Sequence, residues 1–281
     1  MKLSNIGNQG MLSNQTFLIV LDLDGTLLKD DKTISKETIL YLQELQRRGQ
    51  HIAIASGRPE RAILPYYRQL GLKGPLIAYN GILVKDPDPK SSFPSICHRF
   101  KREYIDDLLT SFPDETFANI ITEDGEDIYF LRHEEEFEKF YHADMMKTHY
   151  GPIKGKMKKD PFCFILKTKD RKRDSEISDL VSSFPDIGIR FWWDYPDTGE
   201  FFFYSKNKAT GIEELSKIYG IDRAHIMAFG DAENDVEMLS RAGISFAMKN
   251  GAQSLKNICS YVSLDDNEHD GVRKSLEKIF G

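Results

Sequence analysis

Short apolar runs alternate with amphipathic segments through much of the chain. Residues 17–21, 51–55, 76–79 and 226–229 are largely apolar and rich in branched side chains, a pattern typical of strands buried on both faces. Between such runs, apolar residues recur with the 3.6-residue period of helices. Short buried strands that alternate with helices predict the α/β class, with a doubly wound, mostly parallel sheet covered by helices on both faces.

The first predicted helix, residues 34–48, carries clear start and stop signals. Ser35 is a suitable N-cap, Leu42 and Leu45 fall on the inward face, and Gly49 ends the helix. The same alternation returns after residue 208. There the sequence predicts helices at 212–219, 236–241 and 272–280, and strands at 226–229, 244–248 and 261–264.

The middle of the chain interrupts this alternation. Residues 86–95, DPDPKSSFPS, form a proline- and serine-rich connection that is typical of a domain boundary. The mixed pattern that follows indicates a separate α+β unit inserted into the first domain. Its predicted helices are residues 104–112, 134–141 and 175–184, and its predicted strands are residues 117–121, 128–131 and 162–166. The predicted divisions are a disordered leader at 1–15, a Rossmann-like core at 16–84 and 197–281, and an inserted α+β cap at 85–196.

Composition and charge exclude several classes of function. The net charge of −6 argues against a general nucleic-acid binder. No apolar run approaches the ~20 residues that span a bilayer, and the polar N-terminus has no signal-peptide centre. We therefore expect a cytoplasmic protein that binds neither nucleic acid nor membrane. Cys97, Cys163 and Cys259 lie far apart and are expected to be reduced thiols rather than a disulfide or zinc site.

Two carboxylates follow the first predicted strand directly. Asp22 and Asp24 share a face in extended backbone, so both can point at one spot before Gly25 and Thr26 turn the chain. Two such acids are costly to bury without a cation or a chemical task. However, Asp-Gly between apolar runs is also a common hairpin signal. This stretch alone favours neither a catalytic site nor a hairpin.

Polar clusters also follow two other predicted strands. Ser56 by itself fits a plain helix N-cap best, but ligands of open α/β sheets bind beyond the carboxyl ends of the strands, where all three clusters converge. Three or more carboxylates in one crevice repel one another unless a cation lies among them. Oxygen ligands without His or Cys favour Mg²⁺. The residues concerned are Ser56, Gly57 and Arg58 after one strand, and Gly230, Asp231, Asn234 and Asp235 after the other.

Three other charged features have ordinary explanations. The basic run at residues 154–159 can draw in an anionic substrate, but such a run is more often a solvated loop, and we adopt that interpretation. His225 and His269 are expected to be surface residues. Lys208 alone, between a strand and a helix, would be interpreted as a surface lysine.

The motifs, taken in order, resemble those of the haloacid dehalogenase superfamily. DLDGT at 22–26, ASGRP at 55–59, Lys208 and GDAENDVEML at 230–239 correspond to its four motifs. YNG at 79–81, AG followed by FAM within 242–248, and DGV at 270–272 resemble its Cof-type phosphatases, which carry a type IIB α/β cap between the second and third motifs. In one position the chain departs from the pattern. Similar proteins usually have Gly directly after the lysine, whereas Ala209 stands here and Gly211 follows later.

The resemblance implies a role for each motif residue. Asp22 would be the nucleophile that forms an aspartyl-phosphate, and Asp24 would act as general acid and then as general base. Mg²⁺ would be held by Asp22, Asp231 and the backbone carbonyl of Asp24, with Asp235 as a further or indirect ligand. Phosphate would be bound by Ser56, Lys208 and Asn234. The crevice would be lined by Gly25, Thr26, Gly57, Arg58, Asn80, Gly81 and Gly230.

The resemblance also implies the activity. It predicts a Mg²⁺-dependent phosphatase, monomeric or a weak homodimer, that hydrolyses small phosphorylated metabolites such as a sugar phosphate, flavin mononucleotide or pyridoxal phosphate. One alternative is a sugar-phosphate phosphomutase, in which the cap keeps water from the aspartyl-phosphate. Another is a sensor that binds phosphorylated ligands without turnover, although a pure binder has no need of Asp24.

Overall fold

A computed structural model describes residues 15–192 and 195–281. Apart from Gln15, the predicted leader therefore lies outside the described residues. The described strands are, in chain order, β1 (Leu18–Leu21), β2 (His51–Ile54), β3 (Leu76–Ala78), β4 (Leu83–Lys85), β5 (Ile96–Cys97), β6 (Phe117–Glu123), β7 (Asp127–Phe130), β8 (Lys147–Tyr150), β9 (Cys163–Thr168), β10 (Ile187–Phe191), β11 (Thr198–Phe203), β12 (Ile226–Gly230), β13 (Ile244–Ala247) and β14 (Tyr261–Val262).

The α-helices match most of the predicted amphipathic segments. They are α1 (Lys36–Arg47), α2 (Glu60–Gln69), α3 (Arg102–Ser111), α4 (Glu135–Phe140), α5 (Asp174–Ser182), α6 (Lys208–Tyr219), α7 (Val236–Arg241), α8 (Gln253–Ile258) and α9 (Gly271–Phe280). The predicted cap of α1 is confirmed, because the Ser35 side chain accepts a hydrogen bond from the backbone N–H of Thr38. None of the described helices has the length and apolar character needed to cross a membrane.

The first compact unit contains a five-stranded parallel sheet in the order β14-β13-β12-β1-β2. Every residue of β1 is buried, as expected for an interior strand of such a sheet. On one face, Leu18 and Val20 pack with Ile212 of α6 and Met238 of α7, while α1 packs beside α9. The predicted doubly wound α/β core is confirmed. The hairpin alternative for Asp24 and Gly25 is wrong, because both neighbours of β1 run parallel to it.

The second compact unit has an α+β composition. Its six-stranded sheet has the order β10-β11-β9-β6-β7-β8, with antiparallel neighbours except for the parallel pair β7 and β8. The rings of Tyr104 and Phe184 stack 4.6 Å apart where α3 and α5 meet. Phe137 of α4 packs against Ile121 and Ile165 of the sheet.

The chain divides at slightly later positions than the sequence predicts. The first unit ends at Ile96 and resumes at Asn207, whereas the second unit comprises Cys97–Lys206. The predicted boundaries were residues 85 and 196. The connection 86–95 stays with the first unit because β5 joins β3 and β4 in a small sheet. At the other end, β11 pairs with β9 and β10 and so belongs to the second unit.

Candidate active site

Three turns meet at the carboxyl edge of the parallel sheet. β1, β2 and β12 are adjacent and parallel, so the residues that follow them lie at the same edge. Asp22 continues the ladder beyond β1 by donating its N–H to the carbonyl oxygen of Phe229, at 3.1 Å. The structure thus brings Asp22, Ser56 and Asp231 to one end of the sheet.

Lys208, the first residue of α6, lies fully buried beside the first of these turns. Its Nζ donates hydrogen bonds of 2.6 Å to Oδ1 of Asp22 and to Oδ1 of Asp235. Burial lowers the pKa of Lys208, but the two carboxylates outweigh burial and hold the pKa above its usual value. A buried ammonium is stable only when it is paired in this way, so Lys208 provides a permanent positive charge next to Asp22.

Asp22, Asp231 and Asp235 form a compact group of carboxylates. One oxygen from each lies within 4.8 Å of the others. Burial raises the pKa of Asp22 well above its usual value, and the two neighbouring carboxylates add to the effect of burial although Lys208 opposes it. Burial, followed by repulsion from Asp235, raises the pKa of Asp231 to about 7. A site of buried oxygen ligands with excess negative charge fits a hard divalent cation such as Mg²⁺.

The carboxylate of Asp235 already has partners on both oxygens. Besides the bond from Lys208 to Oδ1, Oδ2 accepts the backbone N–H groups of Asp231 and Ala232 at 2.9 and 3.1 Å. Gly230 permits this close packing, because a Cβ there would lie 2.5 Å from Cγ of Asp235. Asp235 therefore fixes the backbone of the Asp231 turn, and its expected role as a further or indirect metal ligand stays a prediction.

Gly25 and Thr26 contact Asp231 directly. Oγ1 of Thr26 donates a 2.8 Å hydrogen bond to Oδ1 of Asp231. Gly25 has a φ of +73°, and a Cβ at this position would lie 2.3 Å from Oδ2 of Asp231. The sequence predicted both residues only as part of the crevice lining. In the structure, Thr26 binds the Asp231 carboxylate, and the missing side chain of Gly25 leaves room for it.

Two cations bind the carboxylate of Asp24. Arg58 donates from Nε to Oδ2 at 2.6 Å and from Nη2 to Oδ1 at 2.7 Å, and Nζ of Lys32 donates to Oδ1 at 2.9 Å. Burial alone would raise the pKa of Asp24, but the two cations outweigh burial and lower it. Arg58 and Lys32 thus bind both oxygens of the Asp24 side chain, and the expectation that Asp22 and Asp24 point at one spot stays a prediction.

Ser56 lies buried in the turn between β2 and α2. Its Oγ accepts the backbone N–H of Arg58 at 3.2 Å, and Gly57 lies between the two. The interpretation of Ser56 as a plain N-cap is wrong, because Pro59 occupies the N-cap position of α2. The hydroxyl therefore lies within the turn that also carries Arg58.

Asn80 and Gly81 connect this turn to the remaining motifs. Oδ1 of Asn80 accepts a 3.0 Å hydrogen bond from Nδ2 of Asn234. A Cβ on Gly81 would lie 2.0 Å from the backbone oxygen of Asn207, the residue that caps α6. The structure thus brings Asn80 into contact with Asn234, and Gly81 into contact with the residue before Lys208.

His225, His269 and Lys159 pair with acidic residues that are not among the predicted site residues. His225 and His269 bond to the nearby Asp222 and Asp266, respectively. In the basic run, Lys159 pairs with Glu126, and Lys154, Lys156 and Lys158 are exposed. The run lies in the second unit.

Sequence reasoning missed two residues that hold the site. Lys32 binds Asp24, and no local pattern distinguishes it from other loop lysines. Nδ2 of Asn250 donates a 2.7 Å hydrogen bond to the backbone oxygen of Gly25. Asn250 lies three residues after the end of β13. Polar residues that follow a buried parallel strand tend to face the crevice, and this rule would have predicted Asn250.

Comparison with known proteins identifies the family. The sequence model of the haloacid dehalogenase-like hydrolase family matches residues 19–276. The chain belongs to this hydrolase family. Over 270 residues it is 32% identical to the 5-amino-6-(5-phospho-D-ribitylamino)uracil phosphatase YitU of Bacillus subtilis, covering 96% of this chain and 99% of that protein. It is also 25% identical over 270 residues to YbjI of Escherichia coli, which is named as a phosphatase of the same compound. This match covers 93% of this chain and 95% of that protein.

Solved structures show the same fold. A haloacid dehalogenase-like hydrolase from Bacteroides thetaiotaomicron has a TM-score of 0.80 at 24% identity, with 94% of this chain and 99% of that chain covered. The subclass IIB sugar phosphatase BT4131 has a TM-score of 0.75 at 23% identity, with 93% and 98% covered. The predicted family, with its Cof-type subclass IIB fold, is confirmed. The expectation of an enzyme, a hydrolase with phosphatases among its relatives, is confirmed as well.

The departure after Lys208 has a structural explanation in this hydrolase. Ala209 is buried without difficulty, whereas a Cβ at Gly211 would lie 2.8 Å from a side-chain carbon of Ile77 in β3. The close approach of α6 to the strand therefore occurs at Gly211. A side chain at this position would push away the helix that carries Lys208.

Proposed function

We propose that this protein is a Mg²⁺-dependent phosphatase that hydrolyses a small phosphorylated metabolite through an aspartyl-phosphate on Asp22. The observation that carries the proposal is the contact of Lys208 with Asp22 inside a group of three carboxylates. Oδ1 of Asp22 accepts the Lys208 ammonium, and within the described part of the chain Oδ2 accepts no hydrogen bond. Oδ2 is therefore the oxygen that is free for attack on phosphorus.

Asp22 and Asp231 would hold the Mg²⁺ ion, together with the backbone carbonyl of Asp24. When bound, the ion would supply positive charge that offsets the negative charge of the phosphoryl group in the transition state. Lys208 supplies a further fixed positive charge from the protein. Ser56 would donate its hydroxyl to a phosphoryl oxygen.

Asp24 is suited to the proton transfers. With its pKa lowered by Arg58 and Lys32, Asp24 is a carboxylate, the form that accepts a proton from the water that hydrolyses the aspartyl-phosphate. To protonate the leaving alcohol in the first step, Asp24 would have to bind its proton more tightly than it does here. Weaker contact with Arg58 and Lys32 would produce that change.

The substrate class is proposed from the relatives. YitU and YbjI are named for a phosphorylated ribitylaminouracil, and the match to YitU covers nearly the whole of both chains. We therefore expect the substrate to be a phosphorylated polyol or sugar. This ribityl phosphate is the first compound to test, before flavin mononucleotide and pyridoxal phosphate. We assign the choice among them to the second unit. A cytoplasmic location and a monomer or weak homodimer stay predictions.

The deciding experiment is hydrolysis of para-nitrophenyl phosphate by the purified protein, with Mg²⁺ and with EDTA. Activity should require the metal, and Asp22→Asn should lower kcat by at least ~10³-fold, the scale of losing a nucleophile. Asp222→Asn, at an exposed aspartate of the same unit, is the matched control and should keep full activity. Turnover that survives in Asp22→Asn would contradict the nucleophile assignment. Wild-type protein that binds phosphate without turnover would support the sensor alternative.

A further inference from the structure

The segment between β3 and β4 has an unusual backbone. Tyr79, Asn80 and Gly81 have φ angles of 48°, 54° and 98°, so three consecutive residues are left-handed. Asn tolerates this region better than most residues, but Tyr does not. Such a conformation costs free energy and persists only where the surrounding contacts hold it.

The contacts that hold this segment come from the candidate active site. The backbone N–H of Tyr79 donates to the carbonyl oxygen of Arg58 at 3.1 Å, and that of Asn80 donates to the carbonyl oxygen of Ser56 at 3.0 Å. On its other side, the segment packs against the backbone of Asn207, next to Lys208. The left-handed segment is therefore fixed to the Ser56 turn and to the start of α6.

The Asn80 side chain extends the connection to a third motif. Its amide lies 3.2 Å from the position of a Cβ on Gly57, so it covers the Ser56 turn closely. Its Oδ1 accepts the hydrogen bond from Nδ2 of Asn234, 154 residues away. Asn80 is thus the residue through which the Ser56 turn and the Asn234 turn are joined.

We propose that Asn80 is a positioning residue that orients the Asn234 amide for phosphate binding. An Asn amide has one carbonyl acceptor and two N–H donors. Because one N–H of Asn234 is donated to Asn80, the amide plane is fixed, and among the described residues its carbonyl oxygen and second N–H have no other side-chain partner. The inference deepens the proposed function and rests on it. It assigns Asn80 a role through Asn234 and no contact with the reacting atoms.

A double-mutant cycle tests this role. Asn80→Gly keeps the left-handed backbone but removes the amide, and Asn234→Ala removes its partner. We expect Asn80→Gly to lower kcat/KM for para-nitrophenyl phosphate by about tenfold. The double variant should be no worse than Asn234→Ala alone, within about twofold, because the two residues act as a unit. Arg171→Gly, at an exposed left-handed residue of the other unit, is the matched control and should leave kcat/KM unchanged.

The same cycle can be measured without turnover. The quantity is the rise in melting temperature that inorganic phosphate causes in the presence of Mg²⁺. Wild-type protein that binds phosphate but does not hydrolyse the ester would contradict the proposed function and leave the coupling measurable. If the fold-losses of Asn80→Gly and Asn234→Ala multiply in the double variant, the two residues act independently. That result would overturn the positioning role. If Asn80→Gly does not fold, Asn80→Asp decides, since Asp keeps the accepting oxygen. A kcat within about threefold of wild type supports the role, and a loss as large as that of Asn234→Ala overturns it.

Discussion

Arg58 binds the carboxylate of Asp24 through two parallel hydrogen bonds, of 2.6 and 2.7 Å. Bidentate pairs of this kind are among the stronger charge-assisted contacts in proteins. The guanidinium is itself half-buried, and it lies over the ring of Tyr66 at 5.4 Å. The pair therefore sets both the direction and the charge of the residue to which we assign proton transfer.

Removing Arg58 should change the pH dependence of turnover. In Arg58→Gln, Lys32 alone would oppose the effect of burial, so the pKa of Asp24 should rise. The carboxylate form would then be lost at a higher pH, and the acidic limb of the kcat profile should move up by about one pH unit. Lys32→Gln should move it less, because Lys32 gives one exposed contact. The control Lys36→Gln, on the exposed face of α1, should leave the profile in place, and an unmoved limb in Arg58→Gln would contradict the assignment.

Thr26→Val should weaken Mg²⁺ binding without unfolding the protein. The substitution keeps the shape of the side chain but removes the hydrogen bond to Oδ1 of Asp231. Loss of such a contact to a metal ligand typically costs about 10–100-fold in metal affinity, measurable as the Mg²⁺ concentration for half-maximal activity. Thr33→Val, which breaks an exposed hydrogen bond to Asp31, should have no effect. Equal Mg²⁺ affinities in all three proteins would remove Thr26 from the site.

The metal-free protein should lose stability as the pH rises from about 4 to 7. The pKa of Asp231 is about 7 in the folded protein, against the 3.8 of an ordinary Asp, which we take for the unfolded chain. Between these pH values the folded state therefore binds more protons than the unfolded chain. Stability then falls with rising pH. In EDTA, Tm should be higher near pH 5.5 than near pH 7.5, by about 3 °C. Asp231→Asn should show a smaller fall, and Mg²⁺ should raise the wild-type Tm more at the higher pH. A fall equally steep in Asp231→Asn would contradict this account.

Gly81→Ala should be far more damaging than Gly220→Ala. Both glycines have positive φ, but a Cβ at Gly220 would have open space around it, whereas one at Gly81 would lie 2.0 Å from the backbone oxygen of Asn207. Gly220→Ala should cost about 1 kcal/mol of unfolding free energy for the backbone alone. Gly81→Ala should cost at least ~2 kcal/mol and also lower kcat, because α6 and Lys208 would be displaced. Denaturant unfolding of the two variants makes the comparison, and similar losses would contradict it.

The sequence by itself determined the local structure and the inventory of chemical groups. The apolar run before Asp22 predicts β1, and Ser35 with Gly49 predicts the bounds of α1, because strand periodicity, caps and turns depend on residues close together in the chain. Polar clusters directly after buried strands likewise indicate one shared crevice.

Only the tertiary structure decided which of these groups touch. Asp24 binds Lys32 and Arg58, while Thr26 contacts Asp231 from 205 residues away. The strand order β14-β13-β12-β1-β2 likewise departs from chain order at β12. Such contacts depend on which strands become neighbours and on packing of the helices against them, and no local pattern encodes a pairing at that distance. The direction of the Asp24 side chain is therefore a property of the fold.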